Sequence, residues 1–84
     1  MKKYELTRHA EKMMLERELT VEWLERGLES PENVEVDMKD PALEHRLVRI
    51  PEFGSRVLRV IINKETTPQR VVTVYFDRTV KGMP

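Results

Sequence analysis

Apolar positions change their period partway along this chain, and that change divides it into two kinds of structure. After Thr7, a residue suited to an N-cap, Ala10, Met13, Met14 and Arg17 recur at helical spacing and predict a helix over residues 8–18. Leu19 and Thr20 restart the signal. Thr20 can cap a second helix while Leu19 packs on Leu24 as a hydrophobic staple. Val21, Leu24 and Leu28 line one face of that helix, with Trp23 at its flank, and Ser30-Pro31 ends it, which predicts a helix over 20–30. From Asn33 the period becomes two. Strands are predicted at 33–37, 43–50, 56–63 and 70–78, separated by turns at Asp40-Pro41, Pro51–Gly54 and Lys64–Gln69. Tyr4-Glu5-Leu6 reads as a short first strand or as a lead-in. Short connections make neighbouring strands antiparallel. The expectation is therefore an α+β domain: two N-terminal helices packed on one face of a three- to four-stranded antiparallel sheet.

Alternation along the strands separates the two faces of that sheet. One face carries Val48, Ile50, Leu58, Val60, Ile62, Val72, Val74 and Phe76, uniformly apolar and therefore assigned to the helices. The other carries His45, Leu47, Arg49, Val57, Arg59, Ile61, Val71, Thr73, Tyr75 and Asp77. This mixture fits an extended anionic ligand. On the residues alone it fits better the solvated face that an open antiparallel sheet ordinarily shows. Arg17 interrupts the apolar stripe of the first helix and is expected to reach a carboxylate or a strand carbonyl across the helix–sheet seam.

Composition narrows the functional classes. The 84 residues allow a single domain, and 15 Lys+Arg against 15 Asp+Glu leave no net charge, which argues against a general nucleic-acid coat protein but not against a local basic face. There is no cysteine, hence no disulfide framework and no thiolate chemistry. No apolar run is long enough for a membrane span and no signal-peptide core is evident, so a cytosolic protein is expected. The two histidines, His9 and His45, have no metal-ligand spacing, and neither a nucleophile elbow nor a phosphate-cradling glycine loop is present, so no cofactor is expected.

Metal-free cleavage of RNA is compatible with the side chains available. It needs a base for the 2′-hydroxyl, an acid for the leaving 5′-oxygen and cations for the phosphorane. Arg49 and Arg59 are candidate phosphate clamps, and Tyr75 or His45 candidate proton carriers or stacking partners. Arg8 and His9 lie in the first helical turn, where backbone N–H groups favour an anion, although a local contact near the helix start accounts for His9 as well.

The stretch Leu6-Thr7-Arg8-His9-Ala10, followed by Met14 and Arg17, resembles the opening of a bacterial family of small proteins of unknown function. The resemblance continues through Ser30-Pro31-Glu32-Asn33-Val34 and through both last strands. That family is similar to the RelE superfamily, which groups toxins with other ribonuclease-like domains. The resemblance implies two helices followed by a strand meander, an RNA substrate, metal-independent endoribonuclease activity of a toxin-like kind, and an antitoxin-like protein partner. The family's recurring polar positions fall on His9, Arg17, Arg59 and Thr73. Together the residues and the resemblance nominate His9, Arg59, Thr73 and Tyr75 as catalytic, and Arg8, Arg17, His45 and Arg49 as substrate-binding. A non-catalytic protein-interaction module and a homodimer built on the mixed face or an edge strand are the alternatives.

Overall fold

Both predicted helix starts are made by threonine side chains. In the computed structural model, which describes residues 4–80, Thr7 Oγ1 accepts from the Ala10 N–H at 3.1 Å and opens α1 (Arg8–Glu16). Thr20 Oγ1 accepts from the Trp23 N–H at 3.0 Å and opens α2 (Val21–Glu29). Both helices stop short of the lengths that periodicity suggests. Between them the chain reverses at Glu18, a non-glycine residue at φ 53°. The Leu19 N–H bonds the Met14 carbonyl at 2.9 Å and the Glu18 N–H bonds Leu15 at 3.3 Å, the paired bonds of a Schellman motif. Leu19 and Met14, which flank the motif, are both buried in the core, so packing holds a turn that glycine usually makes.

The sheet corrects the expectation of three or four antiparallel strands. Among the described residues it has five, in the order β1 (Tyr4–Leu6), β5 (Gln69–Phe76), β4 (Arg56–Asn63), β3 (Leu43–Ile50), β2 (Asn33–Val36), and β1 runs parallel to β5. The remaining pairs are antiparallel. Three residues are too few to show an alternation, which is why β1 is ambiguous as sequence. Tertiary contacts define it: the Thr7 N–H bonds the Val71 carbonyl at 3.0 Å, Thr7 Oγ1 donates to the Val72 carbonyl at 2.9 Å, and the Tyr4 hydroxyl donates to Glu25 on α2 at 3.0 Å.

A second correction concerns which valine of β5 faces the helices. The β4–β5 register slips between Ile61 and Ile62, so that Ile61 pairs with Thr73 but Ile62 pairs with Val71. Val72 is the extra residue of a β-bulge, and Val71, not Val72, enters the core. With that exchange the helix face is as apolar as expected: Ile50, Leu58, Val60, Ile62, Val71 and Val74 are fully buried. Burying each such side chain stabilises by about 1.5–3 kcal/mol before entropy is counted. α2 lies so close to the sheet that a Cβ on Gly27 would meet Val60 Cγ2 at 2.9 Å, so only glycine fits there without displacing the strand's side chain. A 3-10 turn, Pro51–Phe53, joins β3 to β4. Phe53, Trp23 and Phe76 pack ring on ring at centroid distances of 5.0 to 5.8 Å and close that end of the molecule. No helix among the described residues is long and apolar enough to cross a membrane.

Candidate functional site

Register brings the sequence-nominated residues of the open face together. Leu47, Arg59 and Tyr75 stand opposite one another across β3, β4 and β5, and His45, Ile61 and Thr73 form the next row. Arg59 is the centre. Its Nε donates to Asp77 Oδ2 at 2.8 Å, and its Nη1 donates to His45 Nδ1 at 2.7 Å and approaches Glu35 Oε1 at 3.4 Å. Guanidinium nitrogens only donate, so Nδ1 must be the unprotonated nitrogen of the imidazole. The other nitrogen, Nε2, then donates to Asp37 Oδ1 at 2.7 Å. Asp77 in turn accepts from the Thr79 hydroxyl and from the Thr79 N–H. One continuous polar chain, Asp37–His45–Arg59–Asp77–Thr79, therefore crosses the sheet from the residue after β2 to the segment after β5.

The electrostatics match this closure. The side chains of Arg59 and Asp77 are only 12% and 11% exposed. Burial would raise the Asp77 pKa, but the Thr79 hydroxyl and N–H, then Arg59, hold it below the ordinary carboxylate value. Asp37 is held low first by the hydrogen bond from His45, then by the Lys39 and Asp40 N–H groups. Beneath the network, Leu47 and Val57 are buried although they point away from the helices. The face expected to be wet and mixed is thus a second, thin buried layer with an ion-pair lid. Arg59 is not an open phosphate clamp, and the lone pair that would make His45 a proton acceptor is taken by Arg59. Thr73 and Tyr75 flank Arg59, half-buried and without a hydrogen bond to it.

The remaining nominated residues lie elsewhere. Arg8 and His9 are exposed in the first turn of α1, in the helical layer across the sheet from Arg59. Arg17 is the exposed C-cap of α1 and does not bridge the seam; the expected bond is made from the sheet side instead. Arg46 Nη1 donates to the Leu28 carbonyl in the last turn of α2 at 2.6 Å, and its Nε donates to Glu44 at 2.9 Å, placing a cation where carbonyls at a helix end lack partners. Arg49 stands opposite Val57 at the end of the open face, its backbone N–H bonded to Glu32 Oε1 at 2.7 Å.

Some residues that matter escaped sequence reasoning, Arg46 and Arg78 among them. Glu35 and Asp37 share the parity that places them on the open face, a signal present in the chain but overlooked beside the more conspicuous arginines. Arg56 gave no signal, because its strand position assigns it to the core face. It sits where β4 begins, its guanidinium 5.0 Å from the Phe53 ring centroid, and it borders a hollow of about 500 Å³. This hollow lies where the β3–β4 turn meets the end of β5. Ser55, Arg56 and Arg78 supply its polar groups besides Asp77, and Val57, Phe76 and Val80 its apolar lining. Gly54 and Ser55, both at positive φ, shape the turn beside it. Among the described residues no group of three or more His, Cys, Asp or Glu side chains is arranged to hold a metal ion.

The family described as Domain of unknown function (DUF4258) matches residues 6–76. No curated protein and no solved structure matches the chain.

Proposed function

The chain belongs to the family Domain of unknown function (DUF4258), and we propose, on the geometry of its surface, that it binds single-stranded RNA through the hollow at the end of β5. The observation that carries this reading is the pairing of two arginines, Arg56 and Arg78, with an apolar lining of Val57, Phe76 and Val80 in one concavity. Arginine forks match phosphate oxygens, and an aromatic and aliphatic surface receives an unstacked base. The acid in the hollow, Asp77, is already committed to Arg59 and Thr79, so the local balance favours an anion although the whole chain is neutral. The RelE-like resemblance of the sequence supports the same class of ligand by analogy of fold.

Binding, rather than strand cleavage, is the activity proposed. A cleaving site needs a free proton acceptor beside the phosphate. His45 has both ring nitrogens engaged, and His9 belongs to the other layer. The test is fluorescence anisotropy of a labelled RNA oligonucleotide at two salt concentrations, with intact RNA checked on a gel in the presence of chelator. The expected result is binding that weakens with salt and falls about tenfold or more in Arg56→Ala/Arg78→Ala, in proportion to two lost phosphate contacts. Equal affinity in that variant overturns the reading.

A further inference from the structure

The sheet ends on β2, and nothing in the described chain covers it. α1 packs over β1 and β5 and α2 over β3 and β4, which leaves the helix side of β2 open. Val34, Val36 and Met38 are 48%, 58% and 100% exposed there. The backbone of β2 is open as well. In its antiparallel pairing with β3, Asp37 donates to the Leu43 carbonyl at 3.0 Å, so Asp37 and the residues of the same parity, Glu35 and Asn33, turn their N–H and C=O groups inward. Val34 and Val36 therefore turn theirs outward, away from the sheet. An edge of this kind is a template for another strand.

The charge around this edge selects the partner. Glu32, Glu35, Asp37 and Asp40 lie along the segment against Lys39 alone. On the open side of β2, Glu35 is 48% exposed at its side chain even while it approaches Arg59. We propose that β2 is a docking edge for an extended basic peptide of another protein, one that alternates apolar residues with lysine or arginine. Its apolar side chains lie beside Val34 and Val36 over the uncovered helix side. Its cations fall beside the half-exposed Glu35 on the other side, and its backbone bonds the outward N–H and C=O groups of Val34 and Val36. A second copy of this chain is a poorer occupant, because two acidic edges would be brought together, with Glu35 and Asp37 near their own counterparts.

The proposal is tested with the whole chain and a synthetic peptide alternating lysine and valine, followed by amide NMR and hydrogen exchange. Binding is expected to slow exchange at the Val34 and Val36 amides and to weaken at high salt. A peptide alternating glutamate and valine is expected not to bind. Val36→Pro removes an outward N–H that the free fold does not use, and proline is tolerated on an edge. That variant is expected to keep the wild-type melting temperature and to bind the basic peptide about tenfold more weakly, the effect of lost edge hydrogen bonds. Glu35→Gln, which leaves every backbone bond intact, gives an independent check on the charge argument and is expected to weaken binding with a smaller salt dependence. Three results overturn the proposal: no protection at Val34 and Val36, equal binding of the acidic peptide, or concentration-dependent protection of the same amides without peptide, which assigns the edge to a second copy.

Discussion

The two faces of this sheet are both largely closed to water, but by opposite means. On the helix side, Leu58, Val60, Ile62, Val71 and Val74 meet two amphipathic helices, and no buried polar or charged residue is found there among the described residues. On the other side no helix is present among the described residues. Leu47 and Val57 are buried there all the same, and Arg59, the register partner of Leu47, is tied to Asp77, His45 and Glu35. The first face gains from area and shape. The second depends on each charged group finding its partner, since a group left unmatched at low exposure costs more than a satisfied one contributes. The same guanidinium that a sequence offers as a ligand clamp can thus be the cover of a small satellite core.

This contrast sets the order of effects expected from mutation. The largest belongs to the helix face. Leu58→Ala, at a fully buried position, should destabilise by about 2–5 kcal/mol in denaturant unfolding. Gly27→Val should also be severe, because its first added carbon already meets Val60 at 2.9 Å. Next comes Arg59→Met, which keeps volume over Leu47 but strands Asp77. A loss of about 1–3 kcal/mol is expected, partly restored when Asp77→Asn is added, and a cycle showing no coupling between the two would break the account of the open face. Arg46→Met should cost about 1 kcal/mol by leaving the Leu28 carbonyl without its charged donor.

The smallest effect is the dependence on pH. Glu52 is held down to about 2 against an ordinary 4.5, chiefly by the Arg26 guanidinium and also by the Trp23 N–H. Asp37 is likewise lowered from 3.8. Folded values below unfolded ones mean that both groups add stability that is complete above the unfolded value and is lost as pH falls through the folded one. The melting temperature should therefore decline below about pH 4.5, and Glu52→Gln should flatten part of that decline.

Particular residues show what was legible in the chain and what was not. Thr7 and Thr20 mark their helices because a cap is local chemistry. The α+β class and the gathering of His45, Arg59 and Tyr75 on one face follow from the period of two. The five-stranded mixed sheet does not, because β1 exists only through its bonds to β5. Val71 and Val72 are chemically the same, so nothing local reveals which is the bulge. Glu18 adopts a conformation that glycine normally marks, and its support comes from the burial of Leu19 and Met14. The network around Arg59 joins β2, β3, β4 and the segment after β5, and such partners become visible only once strand register is known.

The open face is sealed by its own ion pairs, and the RNA proposed above would enter the hollow beside Arg56 and Arg78 instead. Chemical-shift mapping with a short single-stranded RNA tells the two surfaces apart. Shifts are expected to concentrate at Gly54, Ser55, Arg56 and Arg78, with the Arg59 Nε–H and the His45 ring unmoved. Shifts centred instead on Arg59, His45 and Tyr75, with the turn at Gly54 silent, would move the ligand to the open face and overturn the proposal.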